Sequence, residues 1–260
     1  MMSHPLALIA SRDLLREWTS RTLRARYQQS LLGWLWAVVQ PVAQAAIFAA
    51  IFTRVVPVET GDTPYLAFSY AATVPWAFLA ASLSDMTASR VDNMNLVNKI
   101  YFPREVLPVA TMLARLVDFA VAQLLFIAFA VYYGLPLLTP ALMFFPVVLL
   151  VQVSLVTGLG LACAAGNVFV RDVRSLLVLV TQLWFYASPV IYPLDAVPAV
   201  VRPYYVLNPM VGIIEGYRAI LLRGAMPDAS LAMSAAVSAV VLVSGYWVFK
   251  KVEFQFADIV

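Results

Sequence analysis

Apolar residues along the chain are grouped into six long runs separated by short polar stretches. A helix needs about 20 apolar residues to cross roughly 30 Å of hydrocarbon, and these runs reach or approach that length. The pattern predicts an all-α integral membrane protein with six transmembrane helices. Pro41 lies inside the first run and should kink it, which neighbouring helices in a membrane can accommodate. The predicted spans cover roughly residues 31–56, 65–88, 106–133, 141–166, 175–192 and 229–249.

Residues 189–228, between the last two predicted spans, are largely apolar but are interrupted by prolines and charges. No uninterrupted run in this stretch looks able to cross a membrane. Broken helix at membrane depth is tolerated only where it is buried in protein or lines a cavity. We therefore expect short re-entrant helices that enter the outer side of the membrane and return. The alternative is a seventh span hidden in this stretch.

The first thirty residues alternate arginine with leucine and tryptophan. This pattern predicts an amphipathic helix in the headgroup region, with Trp18 and its leucine neighbours towards the lipid and arginines towards phosphates. The alternative is a basic flank that only sets the topology. No cleavable signal peptide is apparent, so the first span should act as its own insertion signal. The predicted organisation is a cytoplasmic amphipathic segment over 1–30, a six-span domain over 31–250 and a cytoplasmic tail over 251–260.

Composition supports this assignment and gives it an orientation. Apolar residues make up 63% of the chain and charged residues 12%, whereas a soluble domain carries roughly 25% charged residues. Of the 17 lysines and arginines, 12 fall in the two termini, the 89–105 loop and the loop after the fourth span, and 4 fall on the other side. The positive side faces the cytoplasm, so both termini should be cytoplasmic in an inner-membrane protein.

The usual signatures of catalysis are missing from the sequence. There is no phosphate-binding G-x-x-x-x-G-K-[ST] loop, so ATP would have to bind another chain. The single histidine, His4, and the single cysteine, Cys163, cannot form a metal cluster or a disulfide within the chain. A formal net charge of +3 is too small to argue for nucleic acid. Transport is therefore favoured over catalysis, with no cofactor or metal in this chain.

Three ionisable residues fall within predicted spans, where they are candidates for function. Asp85 lies near the inner end of the second span, and Arg115 and Asp118 share one face of the third. One interpretation is a proton relay. The favoured one is a neutralised structural pair that also contacts Asp85.

Aromatic residues cluster near the predicted span ends and in the broken segment. Most belts of this kind only anchor helices at the membrane interface. Some of these rings could instead line a conduit for sugars, because aromatic faces stack on the apolar faces of pyranose rings. The candidates for channel or gate lining are Trp36, Tyr65, Tyr70, Trp76, Trp184, Tyr186, Tyr192, Tyr204, Tyr205 and Tyr217.

Four groups of short motifs follow one another along the chain. They are Arg26-Tyr27, Ser30, Leu32-Gly33, Trp36 and Gln40-Pro41; NKIYFPRE over 98–105 with Leu107-Pro108; Asn167-Val168-Phe169 with Arg171-Asp172; and SPVIYP over 188–193, Asn208-Pro209 and EGYR over 215–218. In this order and spacing they resemble the membrane subunits of ABC exporters for bacterial polysaccharides, which are the permeases for O-antigen, capsule and teichoic acid. The resemblance extends from about residue 12 to about residue 225.

The resemblance implies a homodimer that works with two copies of a separate nucleotide-binding subunit, which would hold ATP and Mg²⁺. The implied substrate is a lipid-linked polysaccharide, with O-antigen favoured because arginine-rich, alanine-rich chains are typical of GC-rich Gram-negative genomes. The implied interface helix contains Arg16, Trp18, Arg24, Arg26 and Tyr27. The implied contacts with the ATPase are Asn98, Lys99, Tyr101, Phe102, Pro103, Arg104 and Glu105 in a coupling loop, together with Arg171 and Asp172.

Three other functions fit parts of the pattern. A drug- or lipid-exporting ABC permease of the same fold would have a cavity entered from the lipid rather than a continuous aromatic passage. A membrane-embedded enzyme of glycan or lipid metabolism would need a catalytic carboxylate or histidine cluster, which the sequence lacks. A scaffold without transport activity would have no need of the broken outer segment.

Overall fold

Helices account for most of the chain that the structure describes. The computed structural model describes residues 11–28, 30, 33–58, 60–61, 63–93, 102–136 and 138–253. Within these residues there are nine α-helices and no strand, which confirms the all-α prediction. The helices are α1 (Arg12–Tyr27), α2 (Trp36–Arg54), α3 (Tyr65–Ala88), α4 (Val106–Tyr133), α5 (Phe145–Phe169), α6 (Asp172–Tyr186), α7 (Arg202–Tyr205), α8 (Pro209–Leu222) and α9 (Ala229–Glu253).

Five helical stretches in the described residues are long and apolar enough to cross a membrane. They are α2, α3, α4, the stretch Pro140–Phe169 that ends in α5, and α9. The predictions for 65–88 and 106–133 match α3 and α4 at both ends. α9 extends to Glu253, four residues beyond the predicted limit of 249 for the last span.

The fifth predicted span is shorter than expected. α6 has 15 residues, which corresponds to about 22 Å of helix and is less than the roughly 30 Å of hydrocarbon. Pro189 disfavours helix in the residue before it, and the Asn208 side chain donates a hydrogen bond to the Ala187 carbonyl, so the chain turns here. The six-span count therefore stays a prediction, because it depends on this short helix.

Residues 189–228 contain short helices and no helix long enough to span. α7 has four residues and α8 has 14, and a short 3-10 turn, Leu194–Ala196, precedes them. This excludes the hidden seventh span. α8 is buried over nearly its whole length against α3, α5 and α9, so it is held inside the protein rather than exposed to lipid. Whether the segment is re-entrant stays a prediction.

Helix α3 lies at the centre of the bundle, and α2 lies at its edge. α3 is mostly buried and contacts α2, α4, α5, α6 and α8, whereas only Pro41 and Ala45 are buried in α2. α6 is also largely exposed, with Phe185 its one buried residue. The apolar faces of α2 and α6 therefore need a cover of lipid or another subunit.

Glycines allow a close backbone contact between α5 and α9. A Cβ atom on Gly158 would overlap the Val241 carbonyl, and one on Gly245 would overlap the backbone of Gly158. Small residues of this kind are typical of membrane helix interfaces because they let backbones approach.

Candidate functional site

Helix α1 is docked on the protein through its apolar face. Leu14, Leu15 and Trp18 pack against Phe102 and Val106 at the start of α4. The N-terminal segment forms a helix as predicted, but its apolar side is covered by protein at this contact, and its position in the headgroup region stays a prediction. Arg16 and Arg24 lie on its exposed side.

Four charged residues join α1, α3 and α4 close to the end of α3. Arg26 donates to Asp118 at 2.6 Å and to Asp85 at 2.7 Å. Arg115 donates to Asp85 at 2.7 Å and to Asp118 at 3.4 Å. We call Arg26, Asp85, Arg115 and Asp118 the charge quartet.

The quartet is balanced, which agrees with the structural interpretation of the ionisable residues rather than with a proton relay. Each aspartate accepts hydrogen bonds from both arginines, and the four formal charges cancel. The side chains are between 11% and 26% exposed. Loss of one charge at this degree of burial would leave its partners unbalanced, which is costly.

Arg26 is the member of the quartet that the sequence did not indicate. The spacing of Arg115 and Asp118 already predicted a shared helix face, and Asp85 was proposed to contact them. Arg26 was assigned only to the interface helix, because its position depends on how α1 docks. Its one sequence signal was its place in the Arg26-Tyr27 motif.

Tyr27 extends the quartet by one hydroxyl. Its hydroxyl donates to the carboxylate of Asp118, which already accepts from Arg26. Desolvation by burial, followed by the hydrogen bond to Asp118, raises the pKa of Tyr27 to about 12. The hydroxyl therefore stays protonated, and remains a donor, over the physiological pH range.

A pocket of about 330 Å³ lies beside the quartet. It is bounded by the end of α1, the start of α2 and the facing sides of α3 and α4. Arg26, Tyr27, Arg115 and Asp118 form its charged wall, and Trp36 and Gln40 come from α2. The rest of its lining is Ser30, Ala37, Pro41, Val74, Ala77, Phe78, Ala81, Phe119 and Ala122.

A second ionic network ties the start of α4 to the end of α9. Lys250 Nζ lies 2.8 Å from Oε1 of Glu105 and 2.9 Å from Oε2 of Glu253. Arg104 donates to the Glu253 carbonyl at 2.7 Å. Glu105 is fully buried, so its side chain does not suit the direct ATPase contact predicted for it. Its carboxylate instead fixes the loop end to α9.

Arg90 is buried next to this network, at the end of α3. Its guanidinium lies 5.3 Å from the Phe249 ring centroid. Desolvation by burial, with repulsion from Arg104, lowers the pKa of Arg90 to about 10. This residue remains charged at neutral pH and interacts electrostatically with Glu105 and Glu253.

The other predicted coupling residues divide into three groups. Asn98, Lys99 and Tyr101 lie outside the described residues. Phe102 is buried under α1, and Pro103 is partly buried. Arg171 and Asp172, at the start of α6, are exposed and accessible to a partner.

Asn208 holds the broken segment together at the opposite end of the bundle. Its side-chain oxygen accepts from the Trp184 indole and from the Met210 amide, which caps α8. Its amide donates to the Ala187 carbonyl and to the Ser188 hydroxyl. One side chain thus joins the end of α6 to the start of α8.

Arg218 is a fully buried charge in α8. It pairs with Glu215 at 3.0 Å, donates to the Val190 carbonyl at 3.0 Å and lies over the Phe68 ring. Glu215 also pairs with Arg223 at 3.3 Å. These bonds attach the turn at 188–191 to α8 and α3.

The ten aromatic candidates for channel lining do not form one surface. Tyr65, Tyr70, Trp76 and Tyr217 are buried in the core, where the three tyrosine hydroxyls bond to Ile191, Ala122 and Gln152. These four therefore do not suit the lining of a passage. Tyr192 and Tyr205 share a hydrogen bond of 2.9 Å, and Trp184 binds Asn208. Trp36, Tyr186 and Tyr204 are exposed.

Comparison with known proteins gives consistent matches over most of the chain. The model of the ABC-2 type transporter family matches residues 14–222. The O-antigen export system permease protein RfbA of Myxococcus xanthus is 32% identical over 250 residues, and the match covers 95% of each chain. RfbA of Klebsiella pneumoniae is 28% identical over the same length and coverage. The polysialic acid transport protein KpsM of Escherichia coli is 27% identical over 214 residues, 78% of this chain and 79% of its own.

Proposed function

The chain belongs to the ABC-2 type transporter family, and from this membership we propose that it is the membrane subunit of an ATP-driven polysaccharide exporter. The observation that carries the proposal is the match over 95% of both chains to permeases named for O-antigen export. The substrate would be a lipid-linked polysaccharide, most specifically O-antigen, which the protein moves outward across the inner membrane.

The exposed apolar faces of α2 and α6 support a homodimeric channel. Ile47 in α2 and Leu176, Leu179 and Leu183 in α6 are each more than half exposed, although both helices pack on α3. A second copy of the chain would cover part of these faces. Trp36 and Tyr186, also exposed on these two helices, would then lie near the passage between the copies.

A separate nucleotide-binding subunit would supply the energy, since the sequence has no phosphate-binding loop. It would hold ATP and Mg²⁺, and two copies would serve the dimer. The exposed Arg171 and Asp172 lie at the same end of the helices as the charge quartet and the described ends of the 89–105 loop, because α5 ends beside α3, where Asn167 donates to the Thr87 carbonyl. This end would face the cytoplasm, with both termini, as the distribution of lysine and arginine favours.

The ion pairs at this end provide a route from the partner to the membrane helices. A push on the 89–105 loop would reach α9 through the contact of Glu105 with Lys250 and through the contact of Arg90 with the Phe249 ring. A push on α1 would reach α3 and α4 through Arg26. Closure of the ATPase subunits could thereby shift the dimer between two packed arrangements.

The broken segment would form the outer gate. Asn208 and Arg218 hold its parts to one another and to α6 and α3 through hydrogen bonds, an ion pair and a ring contact. Such bonds can break and reform as a unit when the bundle moves. Residues 189–228 would then dip into the outer side of the membrane and return.

The experiment that tests the function is a deletion in the source cell with plasmid complementation. Without the chain, cells should lose surface polysaccharide, accumulate the lipid-linked polymer inside, and recover export when the gene returns. Normal surface polysaccharide in the deletion strain, measured with immunoblots and electrophoresis of extracted glycolipid, would refute the proposal.

A further inference from the structure

We propose that the pocket beside the charge quartet binds one or two neutral sugar rings of the substrate. This inference rests on the proposed function and adds a binding site to it. The pocket volume of about 330 Å³ lies at the low end of ligand pockets, which range over ~300–1,000 Å³. It is therefore suited to a short piece of a polymer rather than to the whole chain.

The charges of the pocket select against an anion. Both arginines in its wall are already matched by aspartates, at distances between 2.6 and 3.4 Å. A phosphate would have to compete with Asp85 and Asp118 for the same guanidinium groups, and the quartet as a whole carries no net formal charge. A ligand with hydroxyl groups can instead donate to a carboxylate and accept from an arginine without disturbing the balance.

The α2 side of the pocket supplies what a sugar ring needs besides hydroxyl partners. Trp36 is 45% exposed and presents a flat apolar face next to the charged wall. The Gln40 side chain is exposed, and its amide can both donate and accept. An aromatic face next to paired donors and acceptors matches a pyranose ring, which is apolar on its faces and polar around its edge.

The location of the pocket relates sugar binding to the position of α1. It is lined by Arg26 and Tyr27 at the end of α1, and these residues hold α1 to Asp118. Any movement of α1 relative to α4 would change the wall of the pocket. A sugar bound there would be engaged or released as α1 moves.

The test is saturation-transfer NMR on the full chain in nanodiscs. The probe is the phosphate-free repeat oligosaccharide prepared from the source cell's own surface polysaccharide, with inorganic pyrophosphate as a competitor. The wild-type chain should transfer saturation to the ring protons of the oligosaccharide. W36A should weaken its binding about tenfold, and W36F, which keeps an aromatic ring, should retain most of it. W247A is the matched control, because Trp247 is 59% exposed on α9, outside the pocket lining.

Two results would overturn the inference. One is equal oligosaccharide binding by wild type and W36A, or an equal loss in W247A. The other is displacement of the oligosaccharide by pyrophosphate, which would make this an anion site. Either result leaves the proposed function intact as long as the deletion strain loses export, so the two proposals fail separately.

Discussion

At the scale of single residues, the charge quartet is the feature whose removal should have the clearest effect. Asp118 accepts from three residues, Arg26, Arg115 and Tyr27, whereas within the described residues Asp85 accepts from the two arginines alone. The side chain of Asp118 is 11% exposed, which leaves little water to compensate if its charge is lost.

Asp118→Asn should lower the free energy of unfolding by about 1–3 kcal/mol. This loss is smaller than that from breaking a fully buried ion pair, because the quartet is partly hydrated. The measurement is thermal unfolding of the purified chain in detergent. Asp195→Asn is the matched control, since Asp195 pairs with Arg202 but is 94% exposed, and it should change stability by less than about 0.5 kcal/mol. Equal losses in the two variants would show that the quartet does not stabilise the docking of α1.

Tyr27 gives a prediction on pH. Its pKa is raised in the folded chain from 10.0 to about 12, so the folded state holds the proton more tightly than the unfolded state. The stabilisation from this hydroxyl is therefore fully present below about pH 10 and is lost as the pH rises towards 12. Stability of wild type relative to Y27F should be constant between about pH 6 and 9 and should fall above pH 10. A stability difference that does not change up to pH 12 would contradict this assignment.

At the scale of helices, two contacts join elements of the bundle and can be tested separately. One is the close approach of α5 and α9 at Gly158 and Gly245, and the other is the contact of Glu105 with Lys250 at the 89–105 end. The first is a packing contact, and the second is ionic, so different variants test them.

Gly158→Ala should destabilise the chain by about 1–3 kcal/mol, because the new methyl group meets the backbone of α9 rather than a movable side chain. Gly166→Ala, at the end of the same helix, is the control. A Cβ atom there would lie 3.5 Å from Val173, an ordinary contact, so stability should be unchanged or slightly higher. Thermal unfolding of both variants checks this, and an unaffected G158A would rule out the close α5–α9 packing.

Reversal of the charge at Glu105 should impair export by breaking its bond with Lys250 rather than by removing a surface contact. E105K places two positive charges together, and E105K/K250E should restore at least half of the lost export. K251E is the control, since Lys251 is exposed. If the double variant assembles normally with the ATPase but does not restore export, Glu105 would instead act in the contact with the partner.

Sequence reasoning predicted the long helices well and the tertiary contacts poorly. The ends of α3 and α4 follow from the lengths of apolar runs, because hydrocarbon thickness sets span length. The end of α6 was missed, since it depends on the hydrogen bond from Asn208, which lies 21 residues after Ala187 in the chain. The buried tyrosines were grouped with exposed ones because the sequence alone does not distinguish the two environments. A tyrosine whose hydroxyl bonds inside the core, such as Tyr70 or Tyr217, is the same residue type as a tyrosine at the membrane interface.

At the scale of the whole molecule, the two ends of the bundle are built for different tasks. One end has exposed charges on α1 and α6 and two internal ionic networks that connect helices. At the other end, Asn208 and Arg218 join the broken segment to the end of α6 and to α3. The proposed exporter would use this asymmetry, because energy would enter on one side and the substrate would leave through the other without a permanent leak.

Transport by purified components measures the central claim directly. The chain and an ATPase subunit would be reconstituted in vesicles so that the ATPase lies on the outside. The lipid-linked polysaccharide would be added on the same outer face, and transport would carry it into the vesicle. Protection of the polysaccharide from an added glycosidase should rise when ATP and Mg²⁺ are supplied. It should not rise with the chain alone, which should also hydrolyse no ATP. ATP hydrolysis by the isolated chain, or no protected polysaccharide in the complete system, would contradict the account.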